Sequence, residues 1–134
     1  GVQTCALPIS VSTATAVVIG VSIVFFAGMG LFALAAPKLI LKPFGINVDQ
    51  PTARAEVRAV YGGFGLAIAA VLGYAMGAPE AVRTGITLAV AVALAGMAFG
   101  RLWSAVVDQR TSFYPNWFYC LVELAGAAAL YWAR

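Results

Sequence analysis

Residues 114–132 read YPNWFYCLVELAGAAALYW, and this stretch sets the scale for the whole chain. Aromatic residues close both ends, Tyr114 and Trp117 at one and Tyr131 and Trp132 at the other, with one charge, Glu123, between them. Eighteen steps separate Tyr114 from Trp132, about 27 Å of helix, which is close to one hydrocarbon thickness between aromatic belts. The span 114–133 is therefore expected to cross a membrane. Three further apolar runs, at 13–36, 56–77 and 79–107, have the length that roughly 30 Å of hydrocarbon requires.

The composition agrees with that reading. Of 134 residues, 63% are apolar and only 10% charged, with a mean hydropathy of +0.95, whereas a soluble domain is about half apolar and a quarter charged. The expected fold is all-α, a single transmembrane four-helix bundle over residues 10–134. The first run carries no charge and ends at Pro37-Lys38. The third begins with Pro79 at a first helical position, followed by Glu80, an acidic residue suited to the positive end of a helix dipole. Between the first two runs, residues 37–44 alternate short apolar pieces with lysines and are expected to lie along the headgroups.

Lysine and arginine are unequally shared between the two ends. Lys38, Lys42, Arg54, Arg58, Arg101 and Arg110 belong to one side, and only Arg83 and Arg134 to the other. The positive-inside rule then places loops one and three in the cytoplasm and both termini outside, in a multi-pass protein of the cell (inner) membrane. The small-residue sequence before Pro37 imitates a signal-peptide cleavage site. The run ahead of it is too long for that role, and its positive charges follow it instead of preceding it. Residues 1–9, GVQTCALPI, resemble a translated sequencing adapter and are set apart as a non-native or disordered tail, together with Cys5.

Much chemistry is removed by what the chain lacks. Without histidine there is no His-ligated haem, no His-bound zinc and no imidazole base. Cys5 and Cys120 form no metal-ligand or redox spacing. No metal or other cofactor is expected. Ser104 has no base beside it, and Cys120 stands in an apolar run with no group to activate it, so the balance is against an enzyme. The net charge of +3 comes from membrane borders, which leaves no case for nucleic acid.

The informative residues are charges that the apolar runs could not avoid. Arg101 lies seven residues before Asp108 and Glu123 nine after Tyr114, about 10 Å and 13 Å inward from the same membrane face. A lone charge at mid-helix costs roughly 2.5–3.5 kcal/mol on insertion scales, so the two are expected to pair inside the bundle. Helical spacing adds Ser104 and Asp108 to the Arg101 stripe, Asn116 and Tyr119 to that of Glu123, and Tyr61, Gly62 and Gly65 to that of Arg58. Glu56 lies about 200° round from Arg58 and joins only if its helix begins late or tilts. The candidate cluster is thus Arg58, Tyr61, Arg101, Asp108, Tyr119 and Glu123, with Glu56 at its margin. The first helix offers small residues and is expected to be a packing wall. The pairs Gly73/Gly77 and Gly96/Gly100 have small-xxx-small spacing, read as ordinary packing between helices of one chain.

Residues 56–63, EVRAVYGG, preceded by Arg54 and followed later by Gly100-Arg101-Leu102, Asp108, Glu123 and Gly126, resemble the pattern of a catalogued family of bacterial four-helix integral membrane proteins, a domain of unknown function. That resemblance implies a fold and a polar cluster but no reaction. In size and shape the chain is also similar to the small DoxX-type membrane proteins, some of which are associated with quinones or respiratory complexes. The leading functional expectation is a small membrane protein whose Arg/Glu cluster fixes the bundle while binding a lipid headgroup, a membrane-protein partner or a second copy. The alternatives are a site for a small anionic or quinone-like ligand and proton-coupled transport through Glu123.

Overall fold

A computed structural model describes residues 11–134. The tail set apart at 1–9, with Cys5, lies outside the described residues. All regular structure among the described residues is helical. Helix α1, Thr13–Ala35, starts where the Ser12 hydroxyl accepts the Thr15 N–H at 3.2 Å, an ordinary N-cap. It stops at Ala36, whose φ of −138° is not helical, ahead of Pro37. A short helix α2, Pro37–Ile40, and a 3₁₀ turn, Lys42–Phe44, fold back over this end. The chain then reverses at Gly45, with φ +69°, a conformation that favours glycine. The Asn47 side chain accepts the Asp49 N–H at 2.9 Å and completes the turn.

Helix α3, Pro51–Gly77, begins five residues before the start read from the sequence, with Pro51 at its first position. Its middle, Arg58–Gly63, widens into a π-type turn. Helix α4, Glu80–Val107, follows a tight turn at Ala78-Pro79. In the last segment Tyr114 is extended, with ψ 134°, so the regular helix α5 is Phe118–Ala133, 16 residues. Three helices, α1, α3 and α4, are long and apolar enough to cross a membrane. Helix α5 is shorter than the span read from its aromatic ends, because its first turn is spent on the kink at Tyr114-Pro115.

Helix α1 packs mainly on α3, and α4 mainly on α5, with lighter contact closing the ring between α1 and α5 and between α3 and α4. The start of α1 meets the end of α5, where the Thr15 hydroxyl donates to the Ala133 carbonyl at 3.3 Å. Ile19, Phe26, Leu72, Val90, Leu94 and Leu130 form the shared core. At the opposite end Leu41, Val48 and Val57 bury themselves under Ala33, so the connecting segment has a small core of its own. Many large apolar side chains face outward, among them Val24, Phe99, Val106 and Trp132. That distribution is unfavourable in water and natural in lipid.

Close helix approach comes from glycines other than those singled out by spacing. A Cβ on Gly30 would lie 2.8 Å from the Gly62 carbonyl oxygen, and one on Gly65 would lie 2.9 Å from that of Phe26. These two residues and Gly62 let α1 and α3 touch backbone to backbone. Gly73, Gly77, Gly96 and Gly100 have no neighbour within 4 Å of such a Cβ and are exposed. The expectation that they pack helices within one chain is therefore corrected. The spacing marks small residues, but the crossing point of the helices decides which of them meet a neighbour.

Candidate functional site: an ion pair at the end of an amphipathic cavity

Arg101 is on the last two turns of α4 and Glu123 is on the second turn of α5. Gly126, one turn beyond Glu123, lets α5 approach so closely that a Cβ there would stand 3.1 Å from Leu94. At that separation the two side chains meet in a two-point pair. Arg101 Nε donates to Glu123 Oε2 at 2.8 Å and Nη2 to Oε1 at 2.9 Å. Nη1 donates to Asn116 Oδ1 at 3.3 Å, and Asn116 stands seven residues before Glu123 on the same helical stripe. Such a fork satisfies both carboxylate oxygens and fixes the guanidinium plane. Glu123 is 3% exposed, and among the described residues no buried side-chain nitrogen or oxygen lacks a partner.

Aromatic rings flank the charge. The guanidinium carbon lies 5.7 Å from the Phe44 ring centre and 5.8 Å from that of Tyr119, within cation–π range. The two rings are themselves 5.6 Å apart. Phe44 reaches this position because the 3₁₀ turn lays the connecting segment across the end of the helices. The sequence reading placed that segment at the headgroups but did not single out Phe44. Its place after the Lys42-Pro43 pair, at the end of an apolar run, was the available signal.

A cavity of about 330 Å³ opens against this group. Its polar lining is Tyr61, Arg101, Tyr119 and Glu123, and its apolar lining includes Phe26, Met29 and Phe32 of α1 and Leu94 and Met97 of α4. Phe25, Phe32 and Met97, which also line it, are 38%, 46% and 45% exposed, so the mouth is on the side of the helices. Phe25 lies ten residues before the end of α1, about 15 Å along its axis. Helix α1, read from sequence as a plain packing wall, supplies much of the cavity surface.

Four of the sequence-derived residues, Tyr61, Arg101, Tyr119 and Glu123, therefore share one cavity, and three do not join them. Arg58 is exposed, and its Nε donates to the Leu34 carbonyl at 3.1 Å, where it caps the C-terminal end of α1. Asp108 is exposed just beyond α4, and its Oδ1 accepts the Gln109 N–H at 2.7 Å. Glu56 is exposed and lines a separate recess beside Val48 and Val57. The stripe argument assumed a regular helix starting near Glu56; the earlier start and the π-type turn place Arg58 at the end of α1 instead.

Two other polar features lie outside the cavity. Arg83, counted from sequence among the few charges of the less basic side, is 7% exposed, and its Nη1 donates to the Ala78 carbonyl at 3.3 Å. Cys120, a free thiol, is 2% exposed in the α4–α5 interface and carries no metal partners. Among the described residues no group of three or more His, Cys, Asp or Glu could hold a metal ion. On the exposed connecting segment, Lys38 Nζ stands 3.3 Å from Asp49 Oδ1. The Lys38 ammonium and the Asn47 side chain hold the Asp49 carboxyl below its ordinary value of 3.8.

The model of a domain of unknown function, DUF4345, matches residues 14–134, a span that takes in every helix and the whole Arg101–Glu123 group. The chain belongs to the DUF4345 family. No curated protein and no solved structure matches it. In this DUF4345 chain the cavity is thus part of the family domain itself, built from α1, α3, α4 and α5 together.

Proposed function

We propose that this DUF4345 protein is a multi-pass membrane protein of four spans that binds an amphipathic ligand in the cavity closed by Arg101 and Glu123. The observation that carries this reading is the join between an apolar wall along α1 and α4 and a polar end made by the ion pair. Ligand pockets are mostly apolar with a few convergent polar groups that set orientation. A lipid-like molecule would place its tail along Phe26, Met29 and Phe32 and its head beside Tyr61, Tyr119 and Arg101.

In the same reading the pair has a second task, holding α4 and α5 in register. A buried pair is weak evidence for stability in itself, but it penalises arrangements that part its members. The short helix α5 completes a span when the turn at Phe113–Trp117 is counted with it, and its end aromatics Tyr131 and Trp132 are exposed. The distribution of lysine and arginine supports loops 36–50 and 108–112 on the cytoplasmic side of an inner membrane, with the ends of α1 and α5 that meet at Thr15 and Ala133 outside. Proton transfer through Glu123 is disfavoured because Arg101 occupies both of its oxygens.

The test is native mass spectrometry of the full chain released from membranes in mild detergent. A bound amphiphile in the wild type, lost in a variant whose cavity is filled by Gly28→Phe, is the expected result. Gly28 lines the cavity and has open space beyond its Cα. An empty wild type after gentle extraction would leave the cluster with its bundle-fixing task alone.

A further inference from the structure

We infer that the cavity selects uncharged ligands that carry a hydrogen-bond-accepting carbonyl on an apolar tail, and rejects anionic ones. This rests on the amphiphile-binding reading above and states what that site prefers. Arginine at the head of a pocket ordinarily suggests an anion, but here its charge is already matched. Glu123 takes Nε and Nη2 in a two-point pair, and among the described residues no other charged group lines the cavity. The end of the cavity is therefore electrically neutral, a fixed dipole in place of a free cation.

An anionic head would have to leave water or the headgroup layer and come against a carboxylate that is 3% exposed and cannot move away into solvent. Its attraction to Arg101 would be largely cancelled by repulsion from Glu123, and its desolvation cost would stand unmet. A carbonyl meets different terms. A guanidinium has five N–H groups, of which three are engaged here, one with Asn116 and two with Glu123. Two remain, on a side chain that is 22% accessible and lines the cavity. The hydroxyls of Tyr61 and Tyr119, also at this end, are further donors. The polar lining thus offers donors without net charge.

The mouth fits the same ligand class. Phe25, Phe32 and Met97 are partly exposed on helix sides, and a mouth at that depth is reached from the hydrocarbon. A neutral amphiphile partitions there, whereas a permanent anion is held at the headgroups. A cavity of about 330 Å³ is too small for a whole lipid and suits a head with the first part of one tail, the remainder lying among the acyl chains.

The experiment uses two diazirine probes with one sixteen-carbon chain, one ending in a methyl ester and the other in a sulfonate. Each is photolysed with the full chain in phospholipid nanodiscs, and the labelled peptides are mapped by mass spectrometry. Labelling of the peptides that contain Met29 and Met97 is expected to be at least tenfold stronger with the ester. Glu123→Gln, which frees the arginine charge, is expected to reverse the preference towards the sulfonate. Equal or stronger sulfonate labelling of the wild type overturns the charge selection while leaving an amphiphile site in place. Labelling of these peptides by neither probe removes the amphiphile site itself. Should Glu123→Gln fail to fold, Gly28→Phe gives the second reading: ester labelling that survives in it places the probe outside the cavity and overturns the inference.

Discussion

Arg83 and Arg101 stand on the same helix, 18 residues apart, which is about 27 Å along its axis, and the two ends of the molecule neutralise them differently. Arg83 sits one turn inside α4 and gives a hydrogen bond to the Ala78 carbonyl, at the negative end of α3. Arg101 lies deeper from its own end and meets a full carboxylate, an amide and two aromatic rings. Near a turn, the partial charge of a helix terminus one turn away is sufficient for a guanidinium. Farther in, only an opposite unit charge offsets the loss of solvation. One consequence is spatial. A carbonyl cap closes a helix end compactly, whereas two long side chains brought together beside rings border the cavity at the Arg101 end.

The largest effect should come from breaking the deeper partnership. Glu123→Leu leaves the partly buried Arg101 without its counter-charge and should cost about 3–5 kcal/mol, read by reversible unfolding of the detergent-solubilised protein. Arg101→Met with Glu123→Leu should recover most of that loss, and the difference between the double variant and the sum of the singles measures the coupling. A double variant no more stable than Glu123→Leu would mean the pair does not act as a unit. Next in size, Gly30→Ala pushes a methyl against the Gly62 carbonyl and should cost about 1–3 kcal/mol, while Gly96→Ala, with open space beyond it, should stay within about 0.5 kcal/mol. Equal effects at the two glycines would contradict the close approach of α1 and α3.

Arg83→Met sharpens the contrast from the other end. It removes a charged hydrogen bond but also a buried charge, and should cost about 1 kcal/mol, well below Glu123→Leu on the same unfolding assay. The smallest effect belongs to the exposed pair on the connecting segment. With its folded pKa depressed by Lys38, Asp49 contributes stability that is fully present above the ordinary carboxylate value and fades as pH falls through the lower folded one. The carboxyl resonance of Asp49 should titrate below 3.8 and return towards it in Lys38→Met, as followed by NMR. An unchanged midpoint would show that the lysine does not act on it.

How much of this could be read before the fold was known depends on whether a feature is local. The apolar runs and the meeting of Arg101 with Glu123 were legible, because charges within apolar stretches of neighbouring helices have few other partners. The burial of Arg83 was not legible, since it arises only when the end of α3 folds over the first turn of α4. Arg58 was assigned by regular helical phase, which the start at Pro51 and the π-type turn at Arg58–Gly63 both disturb. The cavity wall on α1 left no trace at all. Phe26, Met29 and Phe32 lie in a helix that is apolar on every side, so no pattern distinguishes residues facing a gap from those facing lipid.

Cys120 lies one turn before Glu123, shut into the seam between α4 and α5. Once Cys5 is replaced by serine, the molecule carries a built-in strain gauge. A maleimide added from outside can react only while that seam is ajar, so its rate reports how often the two helices part, in intact membranes and without a foreign label.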